Sequence, residues 1–261
     1  MMRSLYTAST GMYAQQMNVD TLAHNMSNVT TTGFKRQRVE FQDLLYQNIR
    51  RPIANETVNE PAGLAVGLGV RPAVSYTLFS QGNMQETGNP LDVAINGLGF
   101  FRVEVPGYDD YLYTRDGSIK IDGEGRLVTG DGYYFVGVDE LDPEAYDINI
   151  ESNGMVTFKL PGEEEIQEAG QLELATFVNP AGLEKLGRNF YQVTVNSGDP
   201  MDWDPEEDQS ISLMSGYVEA SNVQIVEEMV NLITAQRAYE MNSKVIQSSD
   251  EMLQTATNLR R

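Results

Sequence analysis

Carboxylates dominate the chemistry this sequence can offer: 38 of its 261 residues are Asp or Glu. Two carboxylates at the right separation hydrolyse glycosidic bonds. With so many acids, pairs arise by chance, and no spacing singles one out. Calcium is the better-motivated ligand for them. Asp116-Gly117, Asp122-Gly123-Glu124-Gly125 and Asp131-Gly132 resemble loops of oxygen donors. Asp199, Asp202, Asp204, Glu206, Glu207 and Asp208 crowd a further stretch. Neither cluster has the Gly at position 6 and Glu at position 12 of an EF-hand loop. Asp-Gly pairs are also the ordinary residues of tight hairpin turns, and 199–208 reads equally as a solvated loop. Gly63, Gly67 and Gly69 lack both the dinucleotide spacing and the Lys-Ser/Thr of a phosphate loop. They read as turns or close backbone packing. The chain has no Cys and one His, His24. That inventory excludes thiolate metal sites, a disulfide framework, His-clustered zinc and a His-dependent triad elsewhere. His24 itself reads as a polar residue near a helix end. No catalytic, metal or cofactor site is assigned, and the chain is not expected to be an enzyme.

Charge narrows the partners. The net charge is −20, and it is unevenly spread: +3 over residues 1–53, −22 over 54–220 and −1 over 221–261. So acidic a middle repels phosphate backbones and argues against nucleic acid. The near-neutral ends suit close packing between copies. No run of 18 apolar residues spans a membrane, and the N-terminus lacks the apolar core of a cleaved signal.

The elements that would carry these residues read as helix, mostly strand, helix. Leu5, Met12, Val19 and Met26 recur every seven residues. Met1, Ala8, Gln15, Leu22 and Val29 form the companion series, so the pair is an a/d seam with one polar break at Gln15. A helix from Met1 to about Asn28 is about 42 Å long. Val29-Thr30-Thr31-Thr32 disfavours its continuation, and Gly33 can end it. A second helix is expected after Ser221, which with Gln224 fits a capping box. Ile225, Leu232, Tyr239, Ile246 and Leu253 are seven apart. Ala238, Val245, Met252 and Leu259 form a second row, and small residues at Ala235, Asn242, Ser249 and Ala256 flank it. Helices of this length point to a coiled coil. Between them, turn pairs such as Asn96-Gly97, Asp131-Gly132 and Asn153-Gly154 separate β-rich runs. The reading is α+β: long terminal helices forming a coiled coil, and an antiparallel β-rich middle domain. The domains are 1–30, an N-terminal helix; 31–75, an extended segment; 76–215, a β-rich domain; and 216–261, a C-terminal helix. Stripes that stay uncovered after the ends pair need other copies, and heterologous contacts of that kind build open filaments or, if closed, stalked oligomers. Tyr6 and Tyr13 read as core or interface aromatics, Trp203 as a partly covered surface anchor.

Two passages carry a resemblance. Residues 22–36, LAHNMSNVTTTGFKR, hold Asn25, Asn28, Thr32, Gly33, Phe34 and Lys35. Residues 229–246, MVNLITAQRAYEMNSKVI, hold Gln236, Arg237, Ala238, Tyr239 and Asn242. Together they resemble the two terminal signatures of the bacterial flagellar rod and hook axial protein family. FKRQRVEFQDLLYQNIRRP at 34–52, GLGVRP at 67–72, LDVAINGLGFF at 91–101, YTRDGS at 113–118 and GYVEASNV at 216–223 look most like the distal rod members. Proximal rod or hook members are the alternative, and a secreted calcium-binding β protein is the alternative from another class. His24, Met26 and Ser27 depart mildly from the family pattern.

The resemblance implies a structural subunit that self-assembles into a hollow helical shaft transmitting torque from motor to hook. It implies export through the flagellar type III apparatus without a cleaved signal, and a place in the rod within the periplasm. Expected partners are further copies of the chain, other rod subunits, the hook protein and the surrounding envelope rings, with no membrane insertion. The stretch from Tyr46 to about Gly63 matches a piece thought to stiffen the rod. The expected assembly positions are Leu5, Met12, Val19, Leu22, Met26, Ile225, Leu232, Tyr239, Ile246 and Leu253.

Overall fold

A computed structural model describes residues 2–50, 53–54, 59–60, 63–108, 110–142, 145–161, 166–206 and 210–258. The chain divides into two compact units and passes between them repeatedly. The first comprises Met1–Ser27, Gln37–Tyr76 and Gln224–Arg261; the second comprises Asn28–Arg36 and Thr77–Val223.

The first unit is built on two helices, α1 (Met2–Ser27) and α2 (Ile225–Asn258). They run antiparallel in a constant register. Ser4 Oγ lies 3.4 Å from Ser249 Oγ, Gly11 faces Asn242, and Asn25 bonds Glu228. Each step of seven along α1 is a step of seven back along α2, the spacing of one helix face. A side chain at Gly11 would place its Cβ 2.9 Å from Asn242 Nδ2, so glycine here allows close approach. α1 stops at Ser27, one residue short of the expected Asn28 and just ahead of the β-branched run that starts at Val29. α2 begins later than the capping box suggests. Ser221 Oγ accepts the N–H of Val223, two residues on, in a local turn. Asn222 is engaged in the second unit and holds this stretch out of the helix. Gln224 therefore precedes the helix, and its carbonyl accepts the N–H of Glu228.

Residues 31–75 are more regular than an extended segment requires. Gln37–Asp43 pairs with Val70–Thr77, and Tyr46–Arg50 pairs antiparallel with Leu64–Gly67. Ile53–Ala54 pairs with Asn59–Glu60. The N–H of Val70 donates to Thr10 Oγ1 at 3.4 Å, tying these strands to α1.

The second unit centres on Phe100–Glu104. On one side it pairs with Leu112–Thr114; on the other it pairs first with Leu174–Thr176, then with Tyr134–Phe135, all antiparallel. Phe190–Gln192 and Glu184–Gly187 extend the sheet beyond Leu112–Thr114. Alternation buries both faces. Phe101 and Val103 join a large core with Val93, Ile95, Leu112 and Leu174. Phe100 turns to the other face and packs with Tyr113, Phe177 and Tyr191. Tyr113 meets Phe177 edge to face with centroids 4.9 Å apart, a geometry that the ring quadrupoles favour. Truncating a phenylalanine buried like Phe101 costs about 3–5 kcal/mol. A three-stranded sheet, Tyr146–Ile150, Met155–Lys159 and Gln167–Gln171, closes the large core. Asn153-Gly154 turns its first hairpin, and Asp131-Gly132 turns the hairpin into Tyr134–Phe135, as the sequence predicts. Ser212–Ser215 pairs with Val93–Asn96, and Tyr217–Glu219 with Met84–Glu86. Among the described residues, no helix is long and apolar enough to cross a membrane.

Candidate functional site

The Thr-Gly-Phe-Lys turn is a fitted part of the second unit. Gly33 has φ +66°, and a Cβ there would lie 2.8 Å from the backbone of Arg115 and Asp116. Its N–H donates to the carbonyl of Glu219 at 2.8 Å. Thr32 Oγ1 donates to Asp116 Oδ1 at 2.9 Å, and Asn189 Nδ2 donates to the Thr32 carbonyl. Phe34 is buried, with Lys185 Nζ 5.6 Å from its ring centroid. Asn28 takes the Thr31 hydroxyl on its side chain.

Lys35 leads into a buried charge cluster. Its Nζ donates to Glu219 Oε1 at 2.5 Å and to the Ser80 carbonyl at 2.9 Å. Arg115 Nε donates to Glu219 Oε2 at 2.9 Å. The rest of that guanidinium is spent on the carbonyls of Ile95, Gly97 and Gly99. Gly82 N–H completes Glu219 Oε1 at 2.7 Å. All three charged side chains are 0–1% exposed. Burial first, then repulsion from Arg115, lowers the Lys35 pKa from 10.5 to about 8, with Glu219 pulling the other way. Asn222 finishes the joint. Its Oδ1 accepts the N–H of Arg36, and its Nδ2 donates to the carbonyls of Leu78 and Ser80.

Sequence reasoning singled out Lys35 and Gly33 but not Arg115, Glu219 or Asn222. The signal was present in part, since all three lie inside YTRDGS and GYVEASNV. Partners 104 and 184 positions apart leave no local pattern.

On the helices, the closest contacts run through small residues. Ala8, Ala14, Leu22, Asn25, Glu228, Ala235 and Ser249 are buried. Leu5, Met12, Val19, Met26, Leu232, Ile246 and Leu253 are half-buried along the flanks, as are Ala238 and Asn242. Ile225, Gln236, Arg237 and Tyr239 are exposed. The two helices therefore leave large apolar side chains uncovered. Met2, Tyr6, Tyr13 and Met17 form a stripe on α1; Val226, Met229, Val230, Ile233 and Met241 are exposed on α2. Tyr6 and Tyr13 are 57% and 59% exposed, and Val226 is 76% exposed. Single exposed apolar residues are ordinary, but contiguous rows mark interaction surfaces.

Four of the acids weighed for calcium are engaged within the protein. Asp116 Oδ1 accepts from Thr32 and from both the N–H and hydroxyl of Ser118. Asp122 Oδ1 accepts the N–H groups of Glu124 and Arg126, which lowers its pKa. Asp204 Oδ1 accepts the N–H of Glu206. Asp202 pairs with Arg102, which also holds Glu173. Glu163, Glu164, Glu165, Glu207 and Asp208 lie outside the described residues.

Known families account for the same passages. Residues 5–35 match the flagella basal body rod protein family. Residues 94–158 match the flagellar hook protein FlgE/F/G D1 domain, and residues 214–259 the flagellar basal body rod FlgEFG protein C-terminal family. Full-length relatives agree. The flagellar basal-body rod protein FlgG of Borreliella burgdorferi is 48% identical over 266 residues, covering 100% of both chains. That of Buchnera aphidicola from Schizaphis graminum is 45% identical, covering 99% of this chain and 100% of the relative. That of Bacillus subtilis is 38% identical over 100% of both. With identity of this level running from end to end, the chain belongs to the FlgG family of flagellar basal-body rod proteins.

Proposed function

We propose that this chain is the structural subunit of the flagellar distal rod. Copies of it self-assemble into a hollow helical shaft that carries torque from motor to hook. The observation that carries this reading is the division of labour on the helices. Small residues pair α1 with α2, while Tyr6, Tyr13, Val226, Val230, Ile233 and Met241 stay uncovered. Covering each large apolar side chain contributes about 1.5–3 kcal/mol, so several per copy suffice to drive association. The helix pair acts as a two-stranded coiled coil whose outer rows, with Ile225 and Tyr239, receive the next subunit. The domain plan is 1–30 and 216–261 as the coiled-coil layer, 31–75 as the rod-specific segment and 76–215 as the outer β-rich domain.

The hairpin Tyr46–Arg50 with Leu64–Gly67 supports the distal rod over other axial members. Tyr46, Ile49 and Leu64 are exposed on it, and an isolated two-stranded hairpin is marginal in water. It stiffens the shaft by packing on neighbouring copies. The remaining partners are other rod subunits, the hook protein and the envelope rings, reached by type III export without a cleaved signal, in the periplasm. No cofactor and no catalytic activity enter this function.

Tyr13→Asp and Ile233→Asp test it. Each variant should keep the circular dichroism of the parent yet fail to support swimming, with rods truncated in electron micrographs of basal bodies. Full motility from the double variant overturns the reading.

A further inference from the structure

We infer that Glu219 is the closing residue of the second unit: buried Lys35 and Arg115 share its carboxylate, so the sheet of this unit locks only when residues 217–222 arrive. Among the described residues, Glu219 is the one carboxylate that either cation contacts. Lys35 is 184 positions away from it and Arg115 is 104 away. A nascent or partly delivered chain that has Lys35 and Arg115 but not Glu219 must either bury two unpaired cations or leave them in water. Burying an unpaired charge is among the costliest events in a protein interior. Leaving the cations in water keeps the core open. Arg115 adjoins Leu112–Thr114, which pairs with the central strand Phe100–Glu104. Its guanidinium also grips the carbonyls of Ile95, Gly97 and Gly99, just ahead of that strand.

The arriving segment makes three further closures. The Glu219 carbonyl caps Gly33 N–H, its carboxylate caps Gly82 N–H, and Asn222 spans Arg36, Leu78 and Ser80. Val93–Asn96 also lacks its partner strand until Ser212–Ser215 is in place. The device makes folding of the second unit, Asn28–Arg36 with Thr77–Val223, a single late event. This rests on the proposed export reading: a chain delivered before it folds gains a core that locks only when residues 217–222 arrive. Contacts this distant in sequence are slow to close, which widens that interval.

Pulse-labelled hydrogen exchange during refolding of the full-length chain reads the order directly. Amides of Phe100–Glu104 and Leu112–Thr114 should become protected in the same kinetic phase as those of Tyr217–Glu219. Protection of the central strands about tenfold sooner overturns the inference. Variants separate charge from packing. Glu219→Gln leaves two buried cations and should slow refolding at least about tenfold or abolish it. Lys35→Met leaves a one-to-one pair and should slow it by less than about threefold. Adding Lys35→Met to Glu219→Gln should recover part of the loss. A double variant no better than Glu219→Gln, or a Glu219→Gln chain that refolds at the parent rate, overturns the idea.

Discussion

Asn25 and Glu228, 203 positions apart in sequence, meet where α1 ends and α2 begins: Asn25 Nδ2 donates to Glu228 Oε2 at 3.3 Å, and both residues are buried. Asn25 also donates to the carbonyl of Gln37 at 2.9 Å and accepts its N–H at 2.8 Å. One amide thus holds the helix pair and the start of the strand Gln37–Asp43. Asn25→Ala removes all three bonds at a buried position. The expected loss is about 2–3 kcal/mol in urea denaturation. Asn25→Asp places a second carboxylate against Glu228, and the repulsion should add to that loss at pH 7.

Gly33→Ala should be severe, because Gly33 is buried in its turn. The left-handed backbone costs a side chain about 1–2 kcal/mol, and the Cβ meets backbone atoms at 2.8 Å that cannot rotate away. A loss above about 2 kcal/mol is expected. A variant with the parent's midpoint would show that the turn shifts freely.

Gly11 sets up the opposite case. Its Cβ would meet Asn242 Nδ2 at 2.9 Å, but that is the tip of a flexible side chain. Ala gains about 1 kcal/mol of helix propensity over Gly. Gly11→Ala should therefore be neutral or slightly stabilising in thermal denaturation. Gly11→Leu, too large for any rearrangement of Asn242 alone, should separate the helices and lower their protection in hydrogen exchange.

Lys35 gives the protein a pH dependence of definite sign. Below about pH 8 the lysine is protonated folded and unfolded alike, and the folded state carries the whole cost of its burial. Between about 8 and 10.5 the folded chain has released the proton while the unfolded chain keeps it, so stability rises with pH. The full span is about 3 kcal/mol. Lys185, half-buried above Phe34 with its pKa lowered to about 8 by burial, acts in the same direction. Above pH 10 the trend reverses, because burial holds the phenols of Tyr191 and Tyr113 protonated in the folded state. Urea midpoints from pH 7 to 10 should climb in the parent and climb less in Lys35→Met. Parallel curves would remove Lys35 as the cause.

The helices were legible because a seven-residue repeat is a local property. Leu5, Met12, Val19 and Met26 located α1 to within a residue or two of its ends. Asn153-Gly154 and Asp131-Gly132 located hairpins for the same reason. The centre of the helix contact was legible on α2 alone: the small row Ala235, Asn242 and Ser249 lies there, with Ala235 and Ser249 buried and Asn242 facing Gly11. Its counterpart on α1, Gly11, stood outside the seven-residue series and gave no signal. Strand pairing across 37–77 and the meeting of Lys35, Arg115 and Glu219 depend on distant chain segments, which no window of neighbouring residues records. Arg115 and Glu219 could have been flagged as charges set among otherwise buried β positions.

The matched steps of seven along α1 and α2 make the pair a shaft with detents. Sliding one helix past the other by about 10 Å would bring equivalent faces together again, so apolar stripes alone would let it ratchet under axial load. Only one notch engages Asn25 with Glu228 and seats Gly11 against Asn242. Those two contacts act as the key in the keyway, turning a surface that could slip into one that pushes and twists as a solid.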